Sequence, residues 1–380
     1  MKRLLNDVLS GILAALPLIA LSTTDAHAPR DSPHPVQSAQ RLNVVFDTDV
    51  HIDDTLALAM LHALQDRGEV KLIAVTISTD NLWCASYIDL LDTFYGHADI
   101  PVGIVHGGIE LGPRFPQLIS QRKEPDGSTL YPHHLIDGAK APEAVSLLRK
   151  ILKAQDDGSV IIVSSGPSIN LAHLLESRPD ASSSLNGGEL VRRKVRLLSV
   201  MAGQFRQIQW DGKNMSAGHS EYNLSVDVPS AQKVFLSWPT AIVVSGFEVG
   251  SAMMYRGENI MRDYTYAKHH PIVDSYQAFC EEKQATGHSE IRQCPQDHDH
   301  GTFDLTAVLY AVRPDRNYFS LSSPGTITVT NDGGSRFQES VVGRHRYLVL
   351  TDEQRARTLE AMETLASQPP ANATRAALPR

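Results

Sequence analysis

An apolar run, Asn43-Val44-Val45-Phe46, leads into Asp47-Thr48-Asp49-Val50-His51-Ile52-Asp53-Asp54, and a second apolar segment follows at 55–64. Four carboxylates within eight residues, where a strand hands over to a helix, would repel one another strongly without a cation. Hard oxygen donors select Ca²⁺ or Mg²⁺ over zinc. A helix N-terminus welcomes one acidic cap, two at most, so capping leaves Asp47 and Asp49 unexplained. In an open α/β sheet the carboxyl ends of the strands form the ligand crevice, which is where this cluster would lie.

Positioning such a cluster requires a strand and helix framework. Apolar runs at 43–47, 71–76, 100–104, 159–164, 195–200 and 240–245 read as strands, and 54–65, 85–95, 141–154, 168–175, 230–236 and 304–312 read as helices. Strands rich in Val, Ile and Leu, alternating with helices, predict an α/β fold. The expected form is a single-domain, open, mostly parallel, Rossmann-like sheet flanked by helices. Residues 326–330 followed by Asn331-Asp332-Gly333-Gly334 predict a late β-hairpin. The stretch 113–138, rich in Pro and His, reads as an active-site flap or a surface excursion.

The whole chain of 380 residues is 42% hydrophobic and 21% charged, an ordinary globular mix. Its net charge of −8 and pI near 6.0 lack the basic field that nucleic-acid binding uses, so no nucleic-acid partner is expected. Residues 1–28 read as a signal peptide: Lys2 and Arg3, an apolar run at 8–21, and Ala26-His27-Ala28, with cleavage after Ala26 or Ala28. Residues 29–40 read as a flexible linker, 41–367 as the folded domain and 368–380 as a disordered tail. The expected location is therefore periplasmic or secreted, with no stable membrane association once the signal is removed. In an oxidising compartment Cys280 and Cys294 could close a small disulfide loop, leaving Cys84 as a buried small hydrophobe.

Asp47-x-Asp49-x-x-x-Asp53-Asp54 resembles the N-terminal signature of the inosine-uridine nucleoside hydrolases, Ca²⁺-dependent enzymes that cut the N-glycosidic bond of ribonucleosides. Gly166-Pro167-Ser168-Ile169-Asn170-Leu171-Ala172 is similar to that family's G-P-L-T-N-L-A turn, and Met201-Ala202-Gly203 to its M-G-G. Glu221-Tyr222-Asn223, with Asp227 and Ala231 after it, resembles its E-F-N block, and Asp304-Leu305-Thr306-Ala307-Val308 its late D-x-L-A-V block. The resemblance spans roughly residues 42–330. It implies a small-molecule nucleoside as partner, free base and ribose as products, and a homo-oligomer, dimer or tetramer.

Roles follow by the same resemblance. Asp49, Asp54 and Asp304 would hold Ca²⁺ through side chains, and Ile169 through its carbonyl. Asp49 would act as general base on a metal-bound water, and Asp47 would orient the ligands. Asp53, Asn81, Asn214, Glu221, Asn223 and Asp304 would hold ribose. Read simply as residues, the three asparagines also suit turns, and Asp304 is expected to cap its helix as well.

One position departs from the family. Phe303 stands where many members carry the histidine that protonates the departing base. Phe303, with Trp83 or Tyr222, would then stack on the base, or His298 and His300, or His133 and His134, would replace the missing acid. Two other classes compete. Asp47-x-Asp49 after a strand also fits a haloacid-dehalogenase-type phosphatase with Mg²⁺, and Phe303 fits an exported nucleoside- or sugar-binding protein with little turnover. Asp49 favours hydrolysis, because binding alone needs no base.

Overall fold

In the computed structural model, which describes residues 41–110, 112–288 and 290–371, strand β1 (Leu42–Thr48) lies in the middle of a ten-stranded sheet. The predicted leader and linker, and residues 372–380 of the predicted tail, lie outside the described residues. Strand β1 tolerates this place because both its faces are apolar: Val44 and Phe46 enter one core and Val45 the other.

The sheet continues through β2 (Val70–Ile77), β3 (Val102–Ile104), β4 (Val160–Ser164), β5 (Val195–Met201), β6 (Ala241–Ser245), β7 (Gly325–Val329), β8 (Ser335–Glu339) and β9 (His345–Val349). Their spatial order is β8-β7-β9-β6-β5-β4-β1-β2-β3, with Ser320–Leu321 paired antiparallel to β9. Strands β1 to β6 and β9 run parallel; β7 is antiparallel to β8 and β9. The order 3-2-1-4-5-6 at the heart of the sheet makes the gap between the ends of β1 and β4 the point where the winding reverses, the usual ligand crevice.

Helices α1 (Ile52–Asp66), α2 (Leu82–Phe94), α3 (Ala144–Ala154), α4 (Ile169–Glu176), α5 (Val228–Ser237), α6 (Pro271–Ala285), α7 (Phe303–Val312) and α8 (Asp352–Ala366) cover the sheet. One core gathers Phe46, Leu56, Tyr87, Tyr276, Leu309 and Met362; the other gathers Val45, Leu148, Leu174, Leu198 and Trp238. Each fully buried side chain of this size contributes about 1.5–3 kcal/mol. The layers are locked by polar pins as well. Ser199 Oγ donates to the Ala307 carbonyl at 2.8 Å and Ser245 Oγ meets Thr306 Oγ1 at 2.6 Å, fixing α7 across β5 and β6.

The fold is the predicted single-domain α/β sheet, with shifted element ends. Helix α2 starts at Leu82 rather than 85 because Asn81 accepts the Trp83 N–H. Helix α3 starts at Ala144 because Glu143 accepts the Ser146 N–H. The predicted hairpin is present as β7 and β8. Helices α6 and α8 and strand β9 were not anticipated. Cys280 of α6 is disulfide-bonded to Cys294, with Cα atoms 5.6 Å apart, and Cys84 is free and buried. At the C-terminal end, Gln368 accepts from Arg67 and the Ala371 N–H donates to Asp66. Among the described residues no helix is long and apolar enough to cross a membrane.

Candidate active site

Asp47, the last acidic residue on β1, lies in register with Thr76 of β2 and Ser164 of β4. Its carboxylate is fully buried and accepts hydrogen bonds from Thr76 Oγ1 (2.7 Å), Asn170 Nδ2 (2.8 Å) and Ser164 Oγ (3.3 Å). Burial still pushes it up to about 6. One carboxylate thereby ties two neighbouring strands and α4 to the end of β1. The chain then turns through Val50 at φ 60°, a left-handed value that is costly for a β-branched residue, and this turn aims Asp49 into the crevice. The Gly166 turn after β4 presses against it: a Cβ at 166 would lie 2.8 Å from the Asp49 nitrogen and would also collide with Ser78. Only glycine fits there.

Helix α1 begins at Ile52, which puts Asp53 and Asp54 in its first turn. Asp54 accepts the His51 N–H (2.7 Å) and Ser165 Oγ–H (2.5 Å). Asp304 arrives from α7, 251 positions along the chain, and its N–H donates to Asp53 Oδ2 at 3.4 Å. All four carboxylates, Asp49, Asp53, Asp54 and Asp304, are buried. Burial, reinforced by the neighbouring Asp54 and Asp53 charges, holds Asp49 well above the usual carboxylate range. Burial and the charges of Asp53, Asp54 and Asp49 do the same to Asp304. Burial also raises Asp54. Asp53 is the exception: burial opposes its charge, yet hydrogen bonds from His300 and His51 hold it below the usual range. Its Oδ1 lies 3.4 Å from His300 Nε2 and 3.3 Å from His51 Nδ1.

Asp49, His51, Asp53, His300 and Asp304 line a cavity of about 420 Å³. Asp49, Asp53, Ser165, Glu221, Asn223 and Asp304 give it polar lining; Tyr222, Phe247, Phe279 and Phe303 give it aromatic lining. Glu221 caps the short helix Tyr222–Ser225 and accepts the N–H groups of Gly203 and Asn223, each at 2.9 Å. Burial pushes Glu221 up to about 7. Asn223 Nδ2 donates to the carbonyls of Ser165 and Met201, both at 3.1 Å, spanning the ends of β4 and β5. Phe303 stacks on Phe247 with centroids 4.8 Å apart, and Trp210 meets both rings edge-on.

The structure brings together Asp47, Asp49, Asp53, Asp54, Glu221, Asn223, Phe303 and Asp304. Ile169 opens α4 beside this cluster, buried against the Gly108 loop. Asn81 caps α2 next to Gly112, a residue of the cavity wall, and Trp83 lies on α2 outside the lining set. Asn214 does not reach the cavity. It lies exposed in the hairpin formed by Ile208–Trp210 and Lys213–Met215, opposite Gln209. The Asp211-Gly212 turn, both residues at positive φ, directs that strand outward, and the hairpin offers Trp210 instead. Asp304 does not cap α7 either; Thr302 holds the cap position and Asp304 lies one residue inside the helix.

Of the predicted substitute acids, His300 lines the cavity, whereas His298, His133 and His134 do not. His133 bonds the Tyr131 carbonyl and the His134 backbone N–H bonds Asp89. Residues that sequence reasoning missed are His51, Ser165, Phe247 and the α6 group of Phe279, Glu282 and Lys283. His51 lay inside the quoted aspartate motif. A signal for it was therefore present, as an imidazole one residue before a helix and two before Asp53.

The sequence profile described as "Inosine-uridine preferring nucleoside hydrolase" matches residues 44–369. The chain belongs to the inosine-uridine preferring nucleoside hydrolase family. This match overturns the dehalogenase-type phosphatase reading. A curated relative, the pyrimidine-specific ribonucleoside hydrolase RihA of Citrobacter koseri, is 28% identical over 228 residues, covering 58% of this chain and 65% of that protein. The chain spans 60–65% of the length of the first curated relatives it matches. Among solved structures, the purine-preferring ribonucleoside hydrolase from Gardnerella vaginalis superposes with a TM-score of 0.61 at 17% identity, covering 86% of this chain and 98% of that one. The inosine-uridine preferring nucleoside hydrolase from Bacillus anthracis gives 0.58 at 16% identity, covering 86% and 99%. At these identities the superpositions establish that the family fold is shared.

Proposed function

We propose that this protein hydrolyses the N-glycosidic bond of ribonucleosides, giving free base and ribose, with Ca²⁺ bound at the carboxylate floor. One observation carries the reading: a single cavity is lined both by buried carboxylates and by aromatic rings, the two kinds of surface that a sugar and a flat base need.

The floor suits a hard cation. Asp49, Asp54 and Asp304 are buried and burdened by one another's charge, and no lysine or arginine ion pair to them occurs among the described residues. Their donors are all oxygens, and the Ile169 carbonyl would add another. When bound, the cation would acidify water and fix the ribose hydroxyls. The protein's own groups account for the remaining steps. Asp49 takes the proton of the attacking water, whose oxygen forms a bond to C1′ as the C1′–N bond breaks. Asp53, Glu221, Asn223 and Asp304 hold the sugar hydroxyls, and the nearby carboxylates stabilise positive charge developing on the ribose ring. Phe303 and Phe247 form the stacking platform for the base. His300, 3.4 Å from Asp53 Oδ1 and beside Phe303, donates the proton that the leaving nitrogen needs.

Phe303 also supports a second reading, a nucleoside-binding protein with lost turnover. A nucleoside panel with Ca²⁺, with and without chelator, separates the two. Calcium-dependent release of free ribose supports hydrolysis; measurable binding without ribose from any nucleoside supports the second reading. We also place the protein outside the cytoplasm, a reading supported by the leader-like residues 1–28 and by the Cys280–Cys294 bridge.

A further inference from the structure

We propose that His51, Asp53 and His300 form a second cation site, selective for a borderline divalent ion such as Zn²⁺, and that filling it blocks the nucleoside site. One ligand atom from each of the three residues lies within 4.8 Å of the other two. The two edges that meet at Asp53 measure 3.3 and 3.4 Å. Zinc bonds of about 2.0–2.1 Å in a tetrahedron place neighbouring ligand atoms about 3.3–3.4 Å apart, so both edges already have the required length.

The donor set differs in kind from the floor beside it. Two imidazoles and one carboxylate suit zinc, cobalt, nickel or copper; Ca²⁺ prefers the all-oxygen set of Asp49, Asp54 and Asp304. Both rings are held in place. His51 meets Phe279 edge-on with centroids 5.0 Å apart, and His300 is fixed by strand pairing to Tyr255 and by edge contacts to Phe279 and Phe303. All three residues line the cavity, which leaves a fourth coordination position open to solvent or ligand. Charge permits two cations together: five buried carboxylates (Asp49, Asp53, Asp54, Glu221 and Asp304) crowd this region, and Lys283 is the sole lysine or arginine in the cavity wall. A single dication leaves part of that charge uncompensated.

The binding claim stands apart from the catalytic reading; only the block rests on it, because the ion would occupy Asp53 and His300. The test titrates the full chain, purified in excess Ca²⁺, with Co²⁺ followed by visible absorption, and with Zn²⁺ followed by calorimetry. One equivalent of Co²⁺ should give the strong visible bands of a low-coordinate site, be displaced by Zn²⁺ and persist against Ca²⁺. His51→Gln and His300→Gln should each weaken binding at least tenfold, and the double variant should abolish it. The Ca²⁺-induced rise in Tm of the double variant serves as the folding control. Zn²⁺ should raise KM for the nucleoside far more than it lowers kcat. Unchanged Co²⁺ binding in the double variant, or one-for-one displacement by Ca²⁺, overturns the site. Zn²⁺ binding without a change in KM overturns the block. If the histidine-dependent site forms in a protein that releases no ribose, the cation site stands and the catalytic reading fails.

Discussion

Asp49 and Asp47 lie two residues apart and do opposite work. Asp49 lines the cavity and accepts the His51 N–H at 3.3 Å; Asp47 faces the sheet, where three donors consume its lone pairs. Asp49→Asn is expected to lower kcat by about 10²–10⁴-fold while leaving the circular-dichroism spectrum unchanged. Asp47→Ala is expected to act on stability, costing about 3 kcal/mol in urea unfolding, because Thr76, Asn170 and Ser164 would be left with unmet hydrogen bonds in a dry core. His300→Gln should lower kcat about 10²-fold on ordinary nucleosides, and the loss should shrink on a riboside whose leaving group needs no proton. An equal loss on both substrates would remove His300 from the role of acid.

At the scale of elements, the cavity wall has one part held by hydrogen-bonded strand ends and another held by a covalent link. The Cys280–Cys294 bridge, 14 positions apart, joins α6, with Phe279, Glu282 and Lys283, to the segment that leads to His300. Cys280→Ser is expected to cost about 3 kcal/mol, the chain-entropy value for a loop of this length. It should also raise KM more than it lowers kcat, read by thermal unfolding and steady-state kinetics. This split matches what was legible in the sequence. The join of β1 to α1 was plain, because an apolar run ends in carboxylates that no packing role absorbs. Helix α6 was hidden, because Ile272, Tyr276, Phe279 and Cys280 are scattered among charged and amide residues. Asn214 lies exposed in a hairpin outside the cavity lining, a placement that spacing along the chain cannot show. The proximity of His300 to Asp53 depends on a long-range fold that local pattern does not carry.

For the whole molecule, two buried histidines carry an acid-sensitive share of the stability. His270 Nδ1 accepts the Ile272 N–H at 3.2 Å and His345 Nδ1 accepts the Ile327 N–H at 2.9 Å, so both rings must stay unprotonated at that nitrogen. Burial pushes His270 down to about 3 and His345 down to about 4, from an ordinary 6.5. The unfolded chain binds these protons below 6.5 and the folded chain does not. Their contribution is therefore complete above pH 6.5 and is lost as pH falls towards 4, each with a slope of up to about 1.4 kcal/mol per pH unit. The urea-unfolding stability difference between wild type and His345→Gln should shrink from pH 7 to pH 4.5, a comparison that cancels the opposite pull of the buried carboxylates, whose raised values favour the folded chain in acid.

The 251-residue span between Asp53 and Asp304 has a consequence for the order in which the protein matures. A chain emerging from the ribosome carries Asp47 through Asp54 long before Asp304 exists, so the growing chain never faces the full crowding of like charge. On the proposed function, the cation site would be complete only once α7 docks, so metal uptake would come late in assembly and an ion would reward a chain made almost to its end.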